Sequence, residues 1–86
     1  MMQDNFDENE KYHMKVVSCC SWIKPERYYL NEIETQQIIN DLKNGEVAIY
    51  CDRAASGSIM IDVGKVVAII ITSIHYGFKV FEHRFD

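Results

Sequence analysis

Long apolar runs, paired cysteine motifs, basic clusters and proline are all scarce in this chain of 86 residues, and each scarcity removes a class of protein. The longest apolar stretch lies in residues 66–74 and falls far short of the ~20 residues that span a bilayer, so no membrane helix is expected. Cys19, Cys20 and Cys51 form an odd set without CxxC spacing, and the opening Met-Met-Gln-Asp is not a basic region followed by an apolar core. Secretion is not signalled, and reduced thiols in a cytoplasm are the simplest reading. A single proline, with 48% hydrophobic and 12% aromatic residues, excludes a disordered or fibrous chain. Lys and Arg number nine, and their closest neighbours are Lys11 with Lys15 and Lys24 with Arg27. With no basic cluster along the chain, nucleic acid is not the expected partner.

What is present is unevenly distributed. Asp4, Asp7, Glu8 and Glu10 precede the first base, Lys11, and the remaining nine acids balance nine bases. Residues 1–10 are therefore expected to be a flexible acidic arm, and residues 11–86 a single domain. A domain of this size buries roughly 60% of its unfolded surface, which leaves a thin margin of stability that association would widen.

Element signals point to an α+β fold in β-α-β-β-β-β order: an antiparallel sheet of four or five strands with one helix packed on one face. Tyr12 to Trp22 is the first strand candidate, and Lys24-Pro25-Glu26-Arg27 reads as a loop because Pro25 offers no amide hydrogen. Asn31 to Asn44 has the strongest grammar. Asn31 caps, Glu34 completes a capping box and Gly45 supplies the left-handed stop. Thr35, Ile38, Ile39 and Leu42 share one helical face, while Ile33 falls off it and is expected to pack near Tyr28, Tyr29 or Leu30.

Beyond Gly45 the period becomes two. Val47, Ile49 and Cys51 share a face, as do Ile59, Ile61 and Val63, with Ala54-Ala55-Ser56-Gly57 as the turn of a hairpin. Asp62 to Lys65 is a second turn, expected to place residues 59–63 and 66–73 side by side in a meander. In the last segment Phe78 and Val80 are in one phase, whereas Phe81, His83 and Phe85 are in the other. Either a bulge shifts the phase or both faces are covered.

Residues 66–74 are apolar, or nearly so, on both faces of any strand they form. A helix can cover one face, so a partner or a second copy is the expected second lid, with Val66, Ala68, Ile70 and Ile74 as dimer or core positions. Tyr28, Tyr29 and Tyr76, with the acids Asp4, Asp7, Glu8 and Glu10, are the candidate partner-binding residues. Tyrosine anchors interfaces, and an acidic run steers toward a basic surface.

Chemistry is thinly signalled. Cys19, Cys20, Cys51, His13, His75 and His83 are soft ligands without zinc-site spacing, and neighbours such as Cys19 and Cys20 would point to opposite faces of a strand. Cysteine as a small buried hydrophobe is the plainer reading. No cysteine opens a predicted helix, and Ala55-Ser56-Gly57-Ser58 lacks the ending and helix of a phosphate-binding loop. No cofactor and no metal are expected. The sequence thus points to a non-enzymatic protein-binding domain, a homodimeric cytoplasmic regulator, inhibitor or assembly component. Its format also suits a phage or mobile-element protein that blocks a host factor. The alternative is single-stranded nucleic-acid binding through sheet aromatics, and the third reading a small thiol- or zinc-dependent enzyme.

Overall fold

A computed structural model of the protein describes residues 10–20, 22–53 and 57–85. The acidic arm, with Asp4, Asp7 and Glu8, and the turn at 54–56 lie outside the described residues. The fold is small α+β: strands β1 (Glu10–Ser18) and β2 (Glu26–Asn31), helix α1 (Glu32–Lys43), strands β3 (Ala48–Arg53) and β4 (Gly57–Asp62), a 3₁₀ turn (Val63–Lys65), and strands β5 (Val66–Ser73) and β6 (Lys79–Arg84). A four-stranded antiparallel sheet has the order β2-β1-β5-β6, and β3 and β4 form a separate hairpin.

Helix α1 forms as its sequence dictates. The Asn31 side chain accepts the Glu34 amide at 2.8 Å while the Glu34 carboxylate accepts the Asn31 amide at 2.9 Å. Gly45, at φ +75°, takes the left-handed conformation beyond the C-cap. Thr35, Ile38 and Leu42 are buried and Ile39 half-buried, so the predicted stripe faces the core. Ile33 does not pack beside Leu30: it is 78% exposed, because it lies off that stripe. The Tyr12 hydroxyl donates to Glu32 at 3.1 Å and ties β1 to the first turn of the helix.

Helix and hairpin cover the same side of the large sheet. Its inner face carries Met14 and Val16 from β1, Leu30 from β2, and Ile69 and Ile71 from β5, and these join Ile38 and Leu42 of α1 with Ile49, Cys51, Ile59 and Ile61 of the hairpin in one core. Burying that many aliphatic side chains, at roughly 1.5–3 kcal/mol each, is what offsets the chain entropy of so small a domain.

Three departures from the sequence reading follow from where the apolar faces go. Residues 26–31, which begin in the loop expected at Lys24 to Arg27 and run to the helix cap Asn31, form β2 beside β1, so the observed order is β-β-α-β-β-β-β. Pro25 sits just before that strand, where its missing amide costs the ladder nothing. The β4–β5 meander does not form, since β4 pairs with β3 alone and β5 with β1 and β6. Ile59 and Ile61 must face the sheet across the core, and the 3₁₀ turn carries the chain from one layer to the other. Val47 does not join the buried face of Ile49 and Cys51; it precedes β3 and is 80% exposed.

Bulges settle the ambiguous phases. In β5, Ala68 pairs with Val17 but Val66 with Ser18, so the residue between, Val67, is unmatched and Val66 swings to the core side. In β6, Ile71 pairs with Phe81 but Thr72 with Lys79, leaving Val80 unmatched and reversing the phase between Phe78 and Phe81, as one of the two expected solutions requires. Over residues 66–74 the helix and hairpin supply one lid, on the side of Val66, Ile69 and Ile71; among the described residues no element covers the side of Ala68 and Ile70. Val66, Ala68, Ile69 and Ile71 are buried, and Ile70 is half-buried.

Candidate functional site

Strand register defines the other face of the large sheet, because residues directly opposite in a ladder point the same way. Tyr29 of β2, His13 of β1, Thr72 of β5 and Lys79 of β6 make one row. Arg27, Lys15, Ile70 and Glu82 make the next, and Val17, Ala68 and Arg84 the third. The helix and hairpin lie on the opposite side with Met14 and Ile71, so among the described residues no element covers these rows.

The two central strands carry small or apolar side chains on this face, Val17, Ala68, Ile70 and Thr72, with Lys15 among them and the other cations on the edge strands. Arg27, Lys79 and Arg84 are exposed and Lys15 is half-buried. Glu82 is the one acid in the three rows and pairs with both Lys79 and Arg84, which hold its carboxyl below the usual carboxylate range. Glu10 lies one row beyond, opposite Asn31, and is buried. Four of the chain's nine bases thus share a surface with one acid. Burial, followed by the charges of Arg27 and Lys15, pushes the His13 imidazole below its ordinary pKa. The His13 and Tyr29 rings meet at 5.3 Å with a 37° tilt, and Tyr29 is half exposed.

The tyrosines named from sequence do not form one surface. Tyr28 points to the core side opposite Met14 and is half-buried, whereas Tyr29 points to the cationic face. Tyr76 lies in the β5–β6 turn, 79% exposed, its ring stacked on Phe78 at 5.7 Å. Of the strand positions, Val66 faces the core, Ala68 and Ile70 lie on the cationic face, buried and half-buried, and Ile74 follows β5 at 36% exposure. Glu10 is not a solvated acid, being 8% exposed at the start of β1.

The soft ligands stay apart. Among the described residues no three His, Cys, Asp or Glu side chains gather as a metal site would require. Cys51 is buried in the hairpin, His75 is exposed in a turn, and His83 lies between Phe81 and Phe85 at centroid distances of 6.5 and 4.5 Å. Cys19 and Cys20 follow the end of β1 in a bend, and there the strand rule fails: their sulfurs are 4.0 Å apart. That contact raises the Cys20 thiol pKa above its ordinary value, which makes it a poorer nucleophile at neutral pH.

A second surface lies at the end of the molecule where β1 leaves the sheet. Trp22 is 82% exposed and Met60 72% exposed, and Ile23 and Met60 border a cleft of about 280 Å³ whose charged lining, Lys24 and Lys65 against Glu26 and Asp62, balances.

Sequence reasoning missed Lys15, Arg27, Lys79 and Arg84. The signal was present as alternation, His13 and Lys15 against Met14 and Val16, and Arg27 and Tyr29 against Tyr28 and Leu30. It required residues 26–31 to be read as a strand. No protein-family model, curated protein or solved structure matches the chain, so the small α+β class is what the fold itself defines.

Proposed function

We propose that this chain is a small non-enzymatic docking domain that holds an extended anionic partner against the face of its four-stranded sheet opposite the helix and hairpin. The observation that carries this reading is the convergence of Lys15, Arg27, Lys79 and Arg84 from three strands onto three rows of one face in which Glu82 is the single acid. The premise that disfavoured an anionic partner, the lack of a basic cluster along the sequence, does not hold in three dimensions. A second copy on this face would set cations against cations, so a homodimer would use another surface, such as the β2 or β6 edge of the sheet. A polyanion neutralises the field and releases its own counterions. The test is binding of a labelled polyanion at low salt to the full chain and to the double variant Lys15→Gln, Arg27→Gln. The reading expects at least a tenfold loss in the variant and none in Tyr76→Ala.

Docking of a protein partner remains a second reading, favoured by the exposed Trp22, Ile23 and Met60 at the sheet's end. A regulator or inhibitor of a host factor would use such apolar anchors, and Trp22→Ala tests it by loss of target binding with anion binding unchanged.

A further inference from the structure

Resting on the docking reading above, we infer that the anionic partner is single-stranded nucleic acid, with a base stacked on Tyr29 and phosphates held by Lys15, Arg27, Lys79 and Arg84. Three features of the face select this ligand over an acidic polypeptide.

The first is the aromatic pair. Tyr29 offers a half-exposed ring, braced at 5.3 Å by His13, in the row next to Arg27 and Lys15. A planar base gains a stacking surface there, while a glutamate side chain has only the cations to use. The second is the floor. Val17, Ala68, Ile70 and Thr72 on the two central strands give a flat, uncharged strip beside Lys15, with Arg27 on one edge strand and Lys79 and Arg84 on the other. Bases suit such a strip and phosphates the cations beside it, whereas a run of carboxylates gains nothing from Ile70. The third is size. Rows about 7 Å apart and strands about 4.8 Å apart make the patch roughly 14 Å on a side, which suits a few unstacked nucleotides and is too flat to enter the major groove of a duplex.

The test measures fluorescence anisotropy of a labelled thymidine octanucleotide, a uridine octanucleotide, and an eight-glutamate peptide of matched label, each against the full chain at low salt. The inference expects the oligonucleotides to bind more tightly than the peptide, with log K falling against log salt at a slope of about −2 to −3, as three to four neutralised phosphates give. Tyr29→Leu should weaken oligonucleotide binding by about fivefold to a hundredfold, with the slope unchanged, and Tyr29→Phe should keep it. Lys15→Gln should instead lower the slope by about 0.7. The uridine and thymidine arms separate RNA from DNA. If the glutamate peptide binds as tightly as the oligonucleotides and Tyr29→Leu changes neither, the face docks an acidic protein and the nucleic-acid inference is overturned while the docking reading stands. If no anion binds, or if Lys15→Gln and Arg27→Gln leave binding intact, the docking reading falls as well.

Discussion

Lys15 and Arg27 stand directly opposite each other in the β1–β2 ladder, both on the sheet face that no other described element covers. Like charges at facing positions destabilise an antiparallel pair. Their juxtaposition is intelligible if an anion is to lie between them, and it sets function against stability at an identifiable position.

Arg27→Glu turns that pair into an opposite-charge pair and should stabilise the fold by roughly 0.5 kcal/mol, raising Tm by about 2–4 °C at low salt. The gain should shrink at high salt, and the same variant should lose polyanion binding. Thermal unfolding at two ionic strengths, beside a binding isotherm, checks both. A variant that is less stable yet binds normally contradicts the assignment.

His13 links the face to pH. Its folded pKa lies below the unfolded value near 6.5 because of burial, Arg27 and Lys15; Tyr29, Thr72 and Lys79 share its row, and Glu10 lies one row away. The unfolded state therefore binds the proton more readily, so stability is fully present above about pH 6.5 and is lost as pH falls through the depressed folded value. A bound anion reverses the local field and raises the imidazole pKa, so polyanion affinity should increase from pH 7.5 to 5.5. An NMR titration of the His13 ring with and without ligand reads the shift directly, and His13→Gln should abolish the pH dependence in that window.

Neighbouring isoleucines should differ sharply. Ile71 is fully buried in the core, while Ile70 is half-buried on the open face. Ile71→Ala should cost about 2–5 kcal/mol, and Ile70→Ala well under half of that. Urea unfolding measures both. Equal losses would show that the second face is packed as tightly as the first, which is what a covering partner or a tight dimer would produce.

The helix start is a separate device. Asn31 both ends β2 and caps α1, so Asn31→Ala should cost about 1 kcal/mol with no change in anion binding. Loss of binding in step with stability would mean that the face depends on the helix seated behind it.

Much of the fold was legible because it is written locally. The capping box at Asn31 and Glu34, the stripe through Thr35, Ile38 and Leu42, and the hairpin pairing of Ile49 with Ile61 and of Cys51 with Ile59 all rest on residues close in sequence. Strand β2 was hidden because six residues behind a proline, ending on a helix cap, carry the punctuation of a loop. Layer assignment was hidden because the 3₁₀ turn at Val63–Lys65 looks like the turn of a meander. The cationic face was least legible. Lys15, Arg27 and Arg84 lie far apart along the chain, and only the register of four strands brings them to one surface.

Backbone amide shifts of the full chain, followed as a thymidine octanucleotide is added at low salt, locate the bound strand on the molecule. Docking on the cationic face should perturb His13, Lys15, Arg27, Tyr29, Ile70 and Lys79 and leave Trp22, Met60 and Tyr76 unmoved. Perturbations clustered at Trp22, Ile23 and Met60, or no change at any ligand concentration, would contradict it.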